Sequence, residues 1–189
     1  MDIKGVDIVK ILFINACVRK ESRTLLLANE LLSGLRGEIE ELFLPTLKLQ
    51  PLDEKMINGR YVDNNYQKYA KQFASADTIV IAAPLWDLSF PSTLKIYIEN
   101  ICIKGITFKF NENGPIGLCR AKRLLYVSTS GGINYPDYGF NYIKALSNTL
   151  FGINEVIRFS AEGLDIWGND VEKILEKTIE EIEEYIEKE

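Results

Sequence analysis

A chain of 189 residues, 47% of them hydrophobic, can bury a sizeable core, which sets aside the disordered and fibrous classes. The 22 Lys and Arg against 27 Asp and Glu leave a net charge of -5, and no basic stripe with interleaved aromatics marks a nucleic-acid surface. Histidine is absent, which excludes Ser-His-Asp and Cys-His catalysis and any zinc site built on imidazole; Cys17, Cys102 and Cys119 are too few for a four-thiolate zinc site.

The opening Met1-Asp2-Ile3-Lys4-Gly5 lacks a signal peptide's apolar core, because Asp7 and Lys10 interrupt it. No run reaches bilayer-spanning length, and an odd number of irregularly spaced cysteines suits free thiols, so the expected location is cytoplasmic, with no membrane partner. Val9, Ile11, Leu12, Phe13 and Ile14 form a nearly continuous apolar run that predicts a buried strand over Lys10 to Asn15. A helix follows from near Ser22, with Leu25, Leu26, Ala28, Leu31, Leu32 and Leu35 at helical spacing and Gly34 and Gly37 stopping it. Glu38 to Leu44 reads as a short strand ended by Pro45. Thr46 to Asp63 has weak periodicity and many turn formers, which predicts a mobile surface excursion.

Asn64 to Ser75 predicts a helix with Tyr66, Tyr69, Ala70 and Phe73 on one face. Thr78 to Ala83 is the clearest central strand, closed by Pro84. After the loop Leu85 to Phe90, Pro91 suits the first position of a helix reaching Cys102. Lys104 to Leu118, punctuated by glycine, predicts a small hairpin or an irregular flap. Arg123 to Ser128 is a fourth strand, Tyr142 to Phe151 a helix, and Glu155 to Ser160 a fifth strand. Val171, Ile174, Leu175, Thr178, Ile179, Ile182 and Ile186 mark a terminal amphipathic helix.

Alternating strands and helices imply right-handed crossovers and an α/β fold, a doubly wound parallel sheet with helices on both faces. Five strands fit the order 2-1-3-4-5 in one domain over residues 1–189. Ligands of such sheets gather beyond the strand carboxyl ends, where the strand order reverses. Three polar or glycine-rich segments fall there: Asn15 to Thr24, Pro84 to Phe90, and Thr129 to Gly132. Ser22, Arg23 and Thr24 read either as a phosphate cradle at a helix start or as a serine cap beside a solvated arginine. Leu85, Trp86, Asp87 and Leu88 either face a flat ring or cap the core, and Thr129, Ser130, Gly131 and Gly132 either close on a ring edge or only turn. Cys17 is either a thiol of lowered pKa near the first loop or, the reading preferred here, a small buried hydrophobe. Asp53, Glu54, Glu99, Glu112, Asp137 and Asp165 show no pairing and are expected to be solvated.

The run Ala83-Pro84-Leu85-Trp86-Asp87-Leu88-Ser89-Phe90-Pro91-Ser92-Thr93-Leu94-Lys95 resembles the flavin loop and following helix of the FMN-dependent NADH azoreductases, within the flavodoxin-like NAD(P)H:quinone oxidoreductases. The resemblance continues through Gly105 to Pro115, Ser130-Gly131-Gly132 and Ala161-Glu162-Gly163, covering nearly the whole chain in order. It implies a flavodoxin-like fold, noncovalent FMN, and ping-pong transfer of two electrons from NADH or NADPH to quinones, azo compounds or other small planar acceptors. Matched to the family, Ser22, Arg23 and Thr24 surround the FMN phosphate, with Asn15 and Cys17 beside them. Pro84, Leu85, Trp86, Asp87 and Leu88 follow the ribityl chain and isoalloxazine, and Thr129, Ser130, Gly131 and Gly132 approach the ring's polar edge. Family members are homodimers with shared active sites, which implies substrate-pocket walls at Phe110 and Phe151. The chain departs from the family where Val18-Arg19-Lys20-Glu21 replaces a serine-rich loop and where Ser130 stands for a frequent arginine. No side chain is assigned as a catalytic acid or base, because the flavin N5 carries the hydride chemistry. Two competing readings make different predictions. A flavodoxin-like electron carrier is reduced by a protein partner rather than by free NAD(P)H, and a flavin-free regulatory domain takes up no FMN.

Overall fold

The computed structural model describes residues 8–188, so the reading of Met1 to Gly5 and Asp7 lies outside the described residues. Five strands, β1 (Lys10–Asn15), β2 (Glu38–Phe43), β3 (Thr78–Ala82), β6 (Arg123–Thr129) and β7 (Glu155–Ala161), form one sheet in the order β2-β1-β3-β6-β7. Every pairing in it is parallel, which is the expected 2-1-3-4-5 order of a flavodoxin-like α/β fold. The two remaining strands, β4 (Phe108–Asn111) and β5 (Gly114–Gly117), form a separate antiparallel hairpin within the glycine-punctuated stretch.

The period-2 geometry of the strands divides their side chains between two cores. Leu12, Ile14, Ile79, Ile81, Leu124 and Tyr126 face α3 (Asn64–Ser75), α4 (Ser92–Ile101) and α5 (Tyr138–Leu146). Ile11, Phe13, Val80, Ala82, Leu125 and Val127 face α1 (Arg23–Gly34) and α6 (Val171–Glu187). Burial on both faces explains why β1, β3 and β6 read as continuous apolar runs rather than alternating ones. Leu27, Ala28, Leu31 and Leu32 form the inward stripe of α1, and Ile182 of α6 lies against the same core. Among the described residues, no helix is long and apolar enough to cross a membrane.

Three boundaries differ from expectation. Thr46 to Asp63 is not featureless: a 3-10 turn covers Leu44–Thr46, and Asp53 caps α2 (Glu54–Gly59) by accepting from Met56 N at 2.7 Å. Such a six-residue helix is too short to leave a hydrophobic period in the sequence. Pro91 caps α4 from just outside rather than opening it. The helix expected from Tyr142 begins at Tyr138, because Asp137 accepts from Phe140 N at 2.7 Å, and it ends in a π turn over Ser147–Phe151.

Candidate active site

Loops after β1, β3, β6 and β7 meet over the carboxyl edge of the sheet and enclose a cleft of about 330 Å³, within the range of small-molecule sites. The β1–α1 loop contributes Val18, Arg19 and Glu21, and the start of α1 contributes Ser22, Arg23 and Thr24. Pro84, Leu85 and Trp86 follow β3, Thr129, Ser130 and Gly131 close β6, and Leu164 and Asp165 arrive after β7. This places the cleft at the reversal of strand order, between β1 and β3.

Hydrogen bonds between loops hold these walls. Ser22 is the N-cap of α1, its hydroxyl accepting from Leu25 N at 3.3 Å. The hydroxyls of Thr24 and Thr129, both buried, meet at 2.7 Å and join the start of α1 to the end of β6. Leu85 N donates to Thr129 O, and Ser130 N to Ala161 O, each at 2.9 Å. Gly163 N, Leu164 N and Asp165 N donate to the carbonyls of Gly132, Ser130 and Gly131, so the last two loops run side by side. A Cβ on Gly131 would come 2.5 Å from Asp165 Oδ2 and 3.1 Å from its Cβ, so a side chain there would have to displace Asp165 from its pairing with Arg23. Arg23 Nη1 donates to Asp165 Oδ1 at 3.0 Å, bridging the first loop and the fourth.

The structure separates the sequence-derived candidates. Ser22, Arg23, Thr24, Pro84, Leu85, Trp86, Thr129, Ser130 and Gly131 line the cleft together. Asn15 and Cys17 lie beneath it. Asn15 is 2% exposed, its Oδ1 accepting from Cys17 N at 3.0 Å and its Nδ2 donating to Glu41 Oε1 at 2.8 Å. Burial pushes the Cys17 thiol up from 9.0 to about 11, so the activated-thiol reading gives way to the buried hydrophobe. Asp87 and Leu88 stand beside the lining residues as the centre of a tight turn. Trp86 and Ser89 exchange N–H···O bonds at 2.8 Å, and φ is 51° at Asp87 and 65° at Leu88, the type I′ arrangement that usually takes Asn-Gly. Gly132 lies against the ring of Tyr135, which occupies the space a Cβ would need. Phe110 is exposed on β4, edge-on to Phe108. Phe151 is not a pocket wall within this chain, since it is 3% exposed and its ring packs 4.8 Å from that of Phe73 in the core.

Five lining residues escaped the sequence reading. Val18, Arg19 and Glu21 sat inside the first flagged segment but registered only as a departure from the family. Leu164 and Asp165 follow the fifth strand, where the strand-end rule already pointed. Asp137, expected in solvent, is 6% exposed and paired with Arg158.

The donor set fits FMN. The α1 terminus offers unpaired helix amides, the Ser22 hydroxyl and the guanidinium of Arg23, with Arg19 on the same wall, which is the chemistry that holds a phosphate. Across the cleft, Leu85 and Trp86 offer an apolar wall, and the backbone of Ser130 and Gly131 a polar edge suited to a heteroaromatic ring.

Comparison with known proteins leads the same way. A family profile described as flavodoxin-like fold matches residues 9–186. An FMN-dependent NADH:quinone oxidoreductase 2 of Clostridium acetobutylicum is 38% identical over 194 residues, spanning 93% of this chain and 96% of the relative. An FMN-dependent NADH:quinone oxidoreductase of Clostridium beijerinckii is 33% identical over 193 residues, with 93% and 96% covered. Among solved structures, an FMN-dependent NADH-azoreductase from Bacillus anthracis, in complex with FMN, superposes with a TM-score of 0.81 at 29% identity, covering 95% of this chain and 98% of that one. A second Bacillus anthracis azoreductase gives a TM-score of 0.86 at 25% identity, covering 96% and 100%.

Proposed function

The chain belongs to the flavodoxin-like family that contains the FMN-dependent NADH:quinone oxidoreductases, and we propose that it is itself an FMN-dependent NAD(P)H oxidoreductase acting on quinones, azo compounds or related planar acceptors. NADH is the donor favoured by the names of its relatives. The observation that carries the reading is one cleft with an arginine- and hydroxyl-bearing helix terminus at α1 and an aromatic wall at Trp86. Held there by the α1 terminus and the Leu85–Trp86 wall, FMN would supply the two-electron redox chemistry between a nicotinamide and a planar acceptor.

The chain's own residues bind, orient and stabilise. Ser22, Arg23 and the first amides of α1 hold the phosphate, with Arg19 beside them. In that role Arg23 would turn toward phosphate from its exposed pairing with Asp165, while the backbone bonds of Gly163, Leu164 and Asp165 hold the fourth loop in place. Leu85 and Trp86 would set the ring plane, and the backbone N–H of Gly131, on the same cleft wall, would steady negative charge at the ring's polar edge, with Asp87 and Gly132 the neighbouring candidates. No side-chain nucleophile is needed, in keeping with a cleft lined by arginines, carboxylates, hydroxyls and apolar groups.

The working unit in this proposal is a cytoplasmic homodimer. Phe110, Val62 and Trp167 are large apolar side chains left exposed on one chain, and Phe110 is the candidate that reaches the partner's site. The three free thiols suit a reducing compartment. Sedimentation should give twice the 21.5 kDa chain mass, and a persistent monomer removes the shared site. For the activity, purified protein loaded with FMN is mixed with NADH or NADPH and a soluble quinone or azo dye. Acceptor-dependent oxidation of the nicotinamide is expected. Its absence with every acceptor, from folded and flavin-loaded protein, rejects the enzyme.

A further inference from the structure

Beside the cleft, on the α5 side of the sheet, lies a half-buried ionic cluster, with only Asp137 fully buried, that the flavin site does not use. Arg158 stands in the middle of β7, an edge strand. Its Nη2 donates to Ser160 Oγ at 2.7 Å and to Glu162 Oε1 at 2.8 Å, and lies 3.4 Å from Asp137 Oδ2. The guanidinium also covers the ring of Phe140, 5.7 Å from its centroid.

The two carboxylates bracket one loop. Glu162 Oε2 accepts from Asn134 N at 3.2 Å, at the start of the loop, and Asp137 caps α5 at its end. Between these points Asn134 takes the left-handed conformation, φ 57°, and Tyr135 lays its ring on Gly132. Just past the second point, Tyr138 N donates to Leu88 O at 3.0 Å, joining this loop to the tight turn after β3. One guanidinium thus grips both ends of the segment that carries Tyr135 and meets Leu88.

The loop presents large apolar side chains outward. Ile133, Tyr135 and Tyr138 are exposed, as are Trp86 and Leu88 across the turn. Aromatic faces of this kind suit a flat, apolar molecule. The clamp itself is incompletely bonded, since Arg158 Nε and Asp137 Oδ2 are buried without hydrogen-bond partners. An ion pair with one buried partner, as here at Asp137, is a weak source of stability, and its best-attested use is to select one conformation among several.

We infer that Arg158 is a positioning residue: through Asp137 and Glu162 it fixes the 133–138 loop, and with it the wall that a planar electron acceptor meets. The role in acceptor choice rests on the proposed function; the clamp on the loop stands apart from it. Arg158 touches none of the cleft-lining residues at its phosphate end, so its loss acts on the acceptor side and spares flavin capture.

The test compares wild type with Arg158→Met, Arg158→Lys and Asp137→Asn; the last keeps an N-cap oxygen while removing the charge. Amide hydrogen exchange of the protein, with and without FMN, reads the clamp directly. The amides of Asn134, Tyr138 and Phe140 should exchange at least 10-fold faster in Arg158→Met and Asp137→Asn, with β1, β3 and β6 unchanged and Arg158→Lys in between. In the FMN-loaded enzyme, KM for a bulky quinone should rise at least 5-fold while kcat and FMN affinity change less than 3-fold. Unchanged exchange at those amides overturns the clamp, and so does acceleration spread over the whole sheet in both Arg158→Lys and Asp137→Asn. Localised exchange with unaltered KM overturns the acceptor role. If wild-type protein oxidises no nicotinamide with any acceptor, the proposed function falls, and the exchange data still decide the clamp.

Discussion

The two ends of the cleft are built on different principles. At the α1 end, functional groups sit on the termini of regular elements, and neighbouring walls share a buried Thr24–Thr129 hydroxyl pair. At the Trp86 end, they sit on turns: Asp87, Leu88 and Asn134 all take positive φ without being glycine, and their loops are held by side chains distant in sequence. The first end is inexpensive to specify, because a helix start presents its amides wherever a helix begins. The second stores local strain, of the order of 1–2 kcal/mol for a non-glycine residue in the left-handed region, and such strain persists only where surrounding contacts enforce it.

That contrast sets the sizes of the expected effects. The largest should come where the two ends touch, at Gly131, since Gly131→Val drives a side chain into Asp165 and parts the loops on either side. FMN affinity should fall at least 100-fold by fluorescence titration, and retention within 5-fold would show that the approach of these loops does not matter. Next comes the hydroxyl pair. Thr24→Val and Thr129→Val each strand one buried hydroxyl and should each lower unfolding free energy by about 1–3 kcal/mol. The double variant should cost less than the sum, and strict additivity in urea titrations would mean that the two groups do not interact.

The rim should respond in the opposite direction. Leu88→Gly removes a strained backbone at φ 65° and should raise stability by about 1 kcal/mol, while KM for planar acceptors rises because Leu88 leaves the wall. A lowered melting temperature would place Leu88 among the structural residues instead.

Burial also sets a pH dependence, apart from the charged groups at both ends of the cleft. Burial raises the thiols from 9.0 to about 11 for Cys17 and Cys102 and to about 12 for Cys119. The unfolded chain therefore gives up these protons first, so their contribution is complete below about pH 9 and is lost as pH climbs through 11. Urea midpoints should fall between pH 8.5 and 11, and Cys17→Ala should flatten part of that fall. A midpoint independent of pH would contradict the burial of these groups.

The same contrast explains what the sequence made legible. Buried parallel strands announce themselves as apolar runs, so β1, β3 and β6 and their order were readable, as was the helix Asn64–Ser75. Ser22 and Thr24 were readable because caps occupy fixed offsets from a helix period. Asp137 looked solvated because its partner Arg158 lies 21 residues away, and no local period records such a pairing; Asp165 is solvated as expected, and only its pairing with Arg23, 142 residues away, was hidden. The Trp86–Ser89 turn carried only half a type I′ signature, since Asp87 suits its first central position but Leu88 takes the second against its own preference. Phe151 was placed by family correspondence, and the π turn that ends its helix buries it against Phe73.

The most direct test of the central claim is titration of purified apoprotein with FMN, followed by flavin fluorescence and near-visible absorbance. Saturation near one FMN per chain, weakened by Arg23→Ala together with Ser22→Ala, is the predicted result. Folded protein that takes up no FMN would leave a flavodoxin-like fold without its flavin chemistry and contradict the account.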